Sequence, residues 1–281
     1  MKKYEGSMNF SSVLTEKVLS YSPLYGGSIG KSFRVETEKS DYFIKYYSKV
    51  GLSSKEANGL NEIAKTDSIK VPNVINYNDN FLVLEFIHSK SALPDFQKIL
   101  GRQLACMHKI SKADAFGFFE DNYIGLSPQK NSFKDNWSDF FIQNRLGYQI
   151  EISKDRELSL LWKSLKIVIP EIIKEAEEPP SLIHGDLWGG NVMKDSEGAP
   201  VIVDPAAYYG HREMELGMTV LFGGFTSDFY NAYDSVYPLK VGWKKRLDLY
   251  TLYHVLNHFN MFGGSYKTQA LSLMRACLKI V

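Results

Sequence analysis

The sequence predicts an α+β fold of two lobes: an antiparallel β-sheet N-terminal lobe with one main helix, then a mainly helical C-terminal lobe. Three observations predict it. Aromatic and β-branched runs crowd the first 87 residues, and apolar residues then recur at helical spacing through most of the remainder. The polar run "HGDLWGGN" stands between the short apolar stretches "SLI" and "VIVD". The boundary falls between Glu85 and Pro94, dividing the chain into residues 1–87 and 88–281.

Each element has its own signal. "VLSYSPLYGG", "KSFRVETE" and "DYFIKYY" are short and separated by glycine-rich or charged turns, which reads as three antiparallel strands. A helix begins near Ser53 and Ser54, residues suited to N-caps, and carries Ala57, Leu60, Ile63 and Ala64 on one face. "VPNVINYN" and "FLVLEFIH" then pair around the "NDN" turn. Helical patterns follow in "FQKILGRQLACMHKI", "WSDFFIQNRLGYQI" and "RELSLLWKSLKIVIPEIIKEAEE", and again from Met214 onward. Between Ser111 and Asn131 the chain is long and irregular, as functional segments in compact domains are.

Composition narrows the partners. Hydrophobic residues make up 44% of the 281 and charged residues 23%, which suits a folded globular protein. Thirty-three basic against 32 acidic residues leave a charge of +1, which argues against a nucleic-acid partner and points to a small molecule. Cys106 and Cys277 lie far apart in apolar helical patterns, so neither a disulfide framework nor a cysteine metal site is expected, and a reducing cytoplasm fits. No apolar run approaches the ~20 residues that span a bilayer, so no membrane partner is expected. "MKKYEGSMNF" has no apolar run behind its charged start, which argues against export.

The polar run carries the chemistry. His184, Asp186 and Asn191 stand in the spacing H-x-D-x-x-x-x-N, and Asp204 closes the second apolar stretch. Phosphoryl transfer needs one carboxylate to accept or orient the attacking hydroxyl, and an amide oxygen and second carboxylate to hold magnesium on the nucleotide phosphates. Magnesium prefers hard oxygens and keeps some waters, so two protein ligands suffice. Asp186 is then the base, with Asn191 and Asp204 the ligands. Lys45, flanked by apolar residues on the third strand, supplies positive charge over the phosphates, and Glu56, early in the next helix, pairs with it. Gly26, Gly27 and Ser28 form either a plain hairpin turn or a turn whose N–H groups meet phosphate oxygens. Glu85, Phe86 and Ile87 form the lobe connection, an ordinary linker or one whose backbone meets adenine. His108, His254 and His258 lie on apolar helical patterns, which favours packing over metal ligation.

These segments together resemble the fructosamine kinase (ketosamine-3-kinase) family, relatives of aminoglycoside and choline kinases. The residues that carry the likeness include "HGDLWGGN", "FGFFEDNYIGLSPQKN", "VDPAAYYGHREMELGM", "LFGGF" and "YHVLNHFNMFGGSY", and they span nearly the whole chain. The resemblance implies a bilobal protein-kinase-like fold and an enzyme that uses ATP and magnesium to phosphorylate the 3-hydroxyl of ketosamines, the sugar–amine adducts of glycation. The 3-phosphate product is unstable and returns the free amine. By position, the resemblance makes Asp186 the base, Asn191 and Asp204 magnesium ligands, and Lys45 and Glu56 the phosphate-side ion pair. Trp188 either stacks on the substrate or plugs the lobe interface, and His211 and Arg212 either line the substrate floor or brace the loop after Asp204. Two positions depart from the family pattern: Ser28 stands where a Cys often stands, and Gly189 where a Ser does. The rival readings are a kinase for an aminoglycoside or amino alcohol, and a nucleotide-binding pseudokinase.

Overall fold

The computed structural model describes residues 8–25 and 30–280. β1 (Val18–Leu24), β2 (Lys31–Thr37) and β3 (Asp41–Tyr46) lead into α1 (Leu52–Ala64), β4 (Val74–Tyr77) and β5 (Phe81–Glu85). All five strands pair antiparallel in the order β1-β2-β3-β5-β4, which puts β3 at the centre. The two-residue side-chain period sorts β3 by face. Tyr42 and Ile44 join a small core with Phe10, Phe33, Val35 and Val83, while Phe43 packs toward the main core on the other side. Lys45 shares that second face and is 5% exposed.

α1 does not begin at the expected serine caps. Gly51, in the left-handed region at φ 87°, precedes the helix. The Ser53 hydroxyl donates to the Asn78 carbonyl, and Ser54 to that of Gly51. Both serines therefore lie inside the first turn, tying it to its surroundings. The glycine-rich turn at Gly26, Gly27 and Ser28 lies outside the described residues.

Helices dominate the remainder. α2 (Phe96–Ile110) is followed by a short hairpin, β6 (Asn122–Ile124) and β7 (Ser127–Gln129), so the stretch expected to be irregular has an ordered centre. The single helix expected from Trp137 is three segments: α3 (Trp137–Phe140), a π-helical stretch Phe141–Gly147, and α4 (Tyr148–Ser153). The wider π turn shifts side-chain phase and buries Asn144 and Arg145. α5 (Arg156–Ile173) leads to β8 (Ser181–Ile183), β9 (Val192–Lys194), β10 (Pro200–Ile202) and β11 (Tyr208–Gly210). α6 (Arg212–Leu221), α7 (Ser227–Val236), α8 (Trp243–Phe262) and α9 (Tyr266–Cys277) complete the chain. α2 packs on α7, and α8 on both α6 and α9. Among the described residues no helix is long and apolar enough to cross a membrane.

Several histidines are sealed into this helical core, and they make stability depend on pH. His254 is 1% exposed, and its pKa is pushed down from 6.5 to about 3 by burial first and then by the nearby His258. A depressed folded pKa means the unfolded chain takes up a proton first, so the stabilisation is complete above 6.5 and is lost as pH falls toward about 3. Replacing His254 with Leu removes this titration. The stability difference between wild type and His254→Leu should move in the variant's favour by about 1.4 kcal/mol per pH unit between pH 6.5 and 5. Denaturant melts at matched pH values check it, and a constant difference across that range contradicts a neutral buried ring.

Candidate active site

Two short ladders hold the polar run. The apolar stretches that flank it do not pair with each other: β8 pairs with β11, and β10 pairs with β9. The loop between β8 and β9 and the loop between β10 and β11 are thereby laid against each other. Ala206 N–H donates to the His184 carbonyl at 2.9 Å, and Val203 N–H to that of Asn191 at 3.0 Å. At Gly185, where φ is +82°, a Cβ would stand 2.3 Å from the Ala206 carbonyl oxygen, so only glycine permits this approach.

His184 organises the turn without facing substrate. It is fully buried, and burial lowers its pKa, leaving the ring neutral. Its Nε2–H donates to the Val203 carbonyl at 2.9 Å, so Nδ1 is free to accept from Asp186 N–H at 3.3 Å. Asn191 Nδ2 donates to the Asp186 carbonyl at 2.8 Å and lies 3.4 Å from its carboxylate. That geometry spends the amide nitrogen and leaves the amide oxygen, the atom a hard cation requires. Asp204 adopts φ +58°, unusual for a residue with a Cβ and of a kind found where a site holds its backbone in place. Its side chain remains 41% exposed.

Lys45 joins the two halves. Its Nζ donates to Glu56 Oε1 at 2.8 Å and to Asp204 Oδ1, while the Tyr47 hydroxyl donates to the other oxygen of Glu56. Burial opposes the ammonium charge, but Asp204 and Glu56 together offset it and hold the Lys45 pKa above its ordinary value. Burial, opposed by Lys45, raises Glu56. Asp186 is raised well above the usual carboxylate range, by desolvation first and then by the charges of Asp204 and Glu215. The structure thus brings together Lys45, Glu56, Asp186, Asn191 and Asp204, from positions up to 159 apart in sequence.

The other candidates divide. Glu85, Phe86 and Ile87 leave β5 directly. Glu85 is tied to Asn73 at 2.8 Å, the Arg34 guanidinium lies over the Phe86 ring, and Ile87 is buried. Trp188 is 39% exposed and meets Phe222 edge-on at 5.8 Å, so much of its ring is available beside the turn that carries Asp186. His211 and Arg212 require a correction as substrate candidates, since each is 1% exposed. His211 is the N-cap of α6, accepting from Glu213 N–H at 3.2 Å and donating to the Ala176 carbonyl at 2.6 Å. Arg212 makes a bidentate pair with Glu178 and donates to the Tyr237 and Pro238 carbonyls. Both brace loops, because their donors are directed to protein acceptors. At Gly189, a Cβ would meet the Gly223 oxygen at 3.6 Å and Gly224 Cα at 3.8 Å, ordinary contacts that leave room for a serine.

Glu215 escaped the sequence reading. Fully buried on α6, it accepts from the backbone N–H groups of both His184 and Gly185, the latter at 3.1 Å. The available signal was an acid set among Met214, Leu216 and Met218 on an apolar helix.

Residues 6–280 match the family model described as fructosamine kinase. The chloroplastic protein-ribulosamine 3-kinase of Oryza sativa subsp. japonica is 38% identical, with 96% of this chain and 83% of that protein covered. The ketosamine-3-kinase of Mus musculus is 37% identical, with 89% and 92% covered. A crystal structure of a provisionally named fructosamine-3-kinase from Thermobifida fusca superposes with a TM-score of 0.88 at 30% identity, covering 96% of both chains. The ADP-bound aminoglycoside phosphotransferase APH(2'')-Ib, at TM-score 0.66 and 14% identity over 94% of this chain and 95% of that one, shares the fold.

Proposed function

The chain belongs to the fructosamine kinase family, and on that premise we propose that it transfers the γ-phosphoryl group of ATP to the 3-hydroxyl of ketosamines, a deglycating activity. The observation that carries this reading is the convergence of Lys45 and Glu56 with Asp186, Asn191 and Asp204. Lys45 neutralises phosphate oxygens, and Glu56 holds its ammonium in place. The Asn191 amide oxygen and the Asp204 carboxylate are the hard oxygens that would hold Mg2+, which would supply positive charge to offset that of the phosphates. Asp186 orients the acceptor hydroxyl and takes its proton.

The exposed Trp188 ring, one residue beyond Leu187 from the base, provides an apolar face for the sugar or its amine-bearing arm. Glu85, Phe86 and Ile87 meet the adenine, and Gly26, Gly27 and Ser28 approach the phosphates. With a formal charge of +1, the chain favours no polyanionic acceptor, and a cytoplasmic site of action fits its two free cysteines.

An acceptor panel tests the proposal. With Mg·ATP, fructosamine and ribulosamine conjugates of lysine should be phosphorylated at the 3-hydroxyl, read by the position of phosphate on the sugar. Phosphorylation of kanamycin-type compounds or amino alcohols alone would overturn the assignment.

A further inference from the structure

The hairpin β6–β7, which no catalytic role uses, touches both halves of the site. On its N-terminal side, Glu120 accepts from Lys55 Nζ and from Asn58 Nδ2 at 2.8 Å, two α1 residues one turn apart. Lys49 lies over the Tyr123 ring at 4.3 Å. On its other side, Asn122 Nδ2 donates to the Ala207 carbonyl at 2.8 Å, and Gln129 Nε2 to that of Ala206 at 3.0 Å. Those carbonyls come two and three residues after Asp204. The hairpin itself is stiffened by Asn131, which donates to the Glu120 carbonyl at 3.0 Å and to Asn122 at 2.9 Å and accepts from Arg145 at 2.8 Å. Tyr253 donates to Gln129 at 2.8 Å. Asn122, Gln129, Asn131 and Arg145 are each no more than 3% exposed, so this network is rigid by the cost of breaking buried hydrogen bonds.

α1 also meets the same loop directly. A Cβ at Gly59 would stand 3.2 Å from Pro205 and 3.4 Å from Ala207, so the helix packs closely on the residues that follow Asp204. α1 carries Glu56, and Glu56 sets Lys45. Two of its contacts with the C-terminal part of the chain are therefore the Gly59 packing and the Glu120 grip. Glu120, bound to Lys55 and Asn58 beside Gly59, adds a polar tether to that packing.

We infer that Glu120 is a positioning residue, gripping α1 through Lys55 and Asn58 so that Glu56 and Lys45 keep their register with Asp204 across the cleft. This rests on the phosphotransferase reading above. The grip is partly solvated, with Glu120 20% and Lys55 29% exposed in their side chains, so it adds little to global stability. Its effect falls on alignment, where displacements below an ångström already slow phosphoryl transfer.

The test compares wild type with Glu120→Ala and Glu120→Gln, the latter retaining an acceptor for Asn58. Glu120→Ala should lower kcat about tenfold and raise KM for ATP about threefold, with KM for the ketosamine and the melting temperature little changed. Glu120→Gln should recover most of the loss. Calorimetric affinity for Mg·ATP should fall in parallel with the rise in KM. Unchanged kcat and Mg·ATP affinity in Glu120→Ala overturn the inference, as does a loss shared equally between ATP and ketosamine. Failure of the phosphotransferase reading looks different, because wild type itself would then turn over no ketosamine. The Mg·ATP affinities of the variants would still show whether Glu120 sets the position of α1.

Discussion

Asp186→Asn should lower turnover by about three orders of magnitude while Mg·ATP affinity stays within a few-fold of wild type. The substitution preserves the shape of the side chain, and the link from Asn191 Nδ2 to the backbone carbonyl of residue 186, 2.8 Å long, does not involve the carboxylate. The turn therefore persists while the proton acceptor is lost. Steady-state rates with a ketosamine acceptor, set beside calorimetric binding of Mg·ATP, separate the two functions. Turnover equal to wild type removes Asp186 from proton transfer, and a parallel loss of Mg·ATP binding assigns it to the metal instead.

Glu215→Ala should be the most damaging change outside the cleft. The truncation leaves the N–H groups of His184 and Gly185 buried without an acceptor, each costing about 1–3 kcal/mol. A net loss of about 2–5 kcal/mol corresponds to a melting temperature lower by roughly 5–15 °C for a chain of this size. Activity should fall further than stability explains, by about a hundredfold in kcat, because the relaxed turn carries Asp186. Glu215→Gln keeps one acceptor oxygen but turns an NH2 toward the second N–H, so it should restore only part of both. Lower melting with unchanged kcat in Glu215→Ala would reduce Glu215 to a structural brace.

Both substitutions act on one turn, yet only one of the two residues was readable in advance. Asp186, Asn191 and Asp204 are linked through short stretches of chain, so their spacing alone restricts how far apart they can lie. Lys45 and Glu56 were readable through order along the chain and the strand-then-helix pattern that separates them. Glu215 meets the turn from a helix about 30 positions later, and nothing in local spacing selects it over Glu213. Glu213 instead pairs with Arg246 at 2.6 Å. His211 and Arg212 show the same limit from the opposite side. They adjoin the catalytic segment in sequence, but α6 begins there, and their donors turn to Ala176, Glu178, Tyr237 and Pro238.

Local patterns also misplaced some boundaries. Ser53 and Ser54 have the chemistry of caps, yet the left-handed Gly51 starts α1 and leaves their hydroxyls for other carbonyls. The expected helix from Trp137 is interrupted by a π turn that directs Arg145 onto the Tyr208 ring, 3.8 Å from its centroid.

The sequence by itself determined the two kinds of architecture and the order of the elements, and it singled out Lys45, Glu56, Asp186, Asn191 and Asp204 as the polar side chains that the structure brings together. These depend on side-chain periodicity and on groups held close by the chain's own connectivity. Only the tertiary structure decided which polar groups meet: Glu215 under the turn that carries Asp186, Asn122 and Gln129 on the carbonyls after Asp204, and Glu120 on α1. Those partners are chosen by packing, because a buried polar group must find whatever acceptor the fold brings within about 3 Å, however distant in sequence.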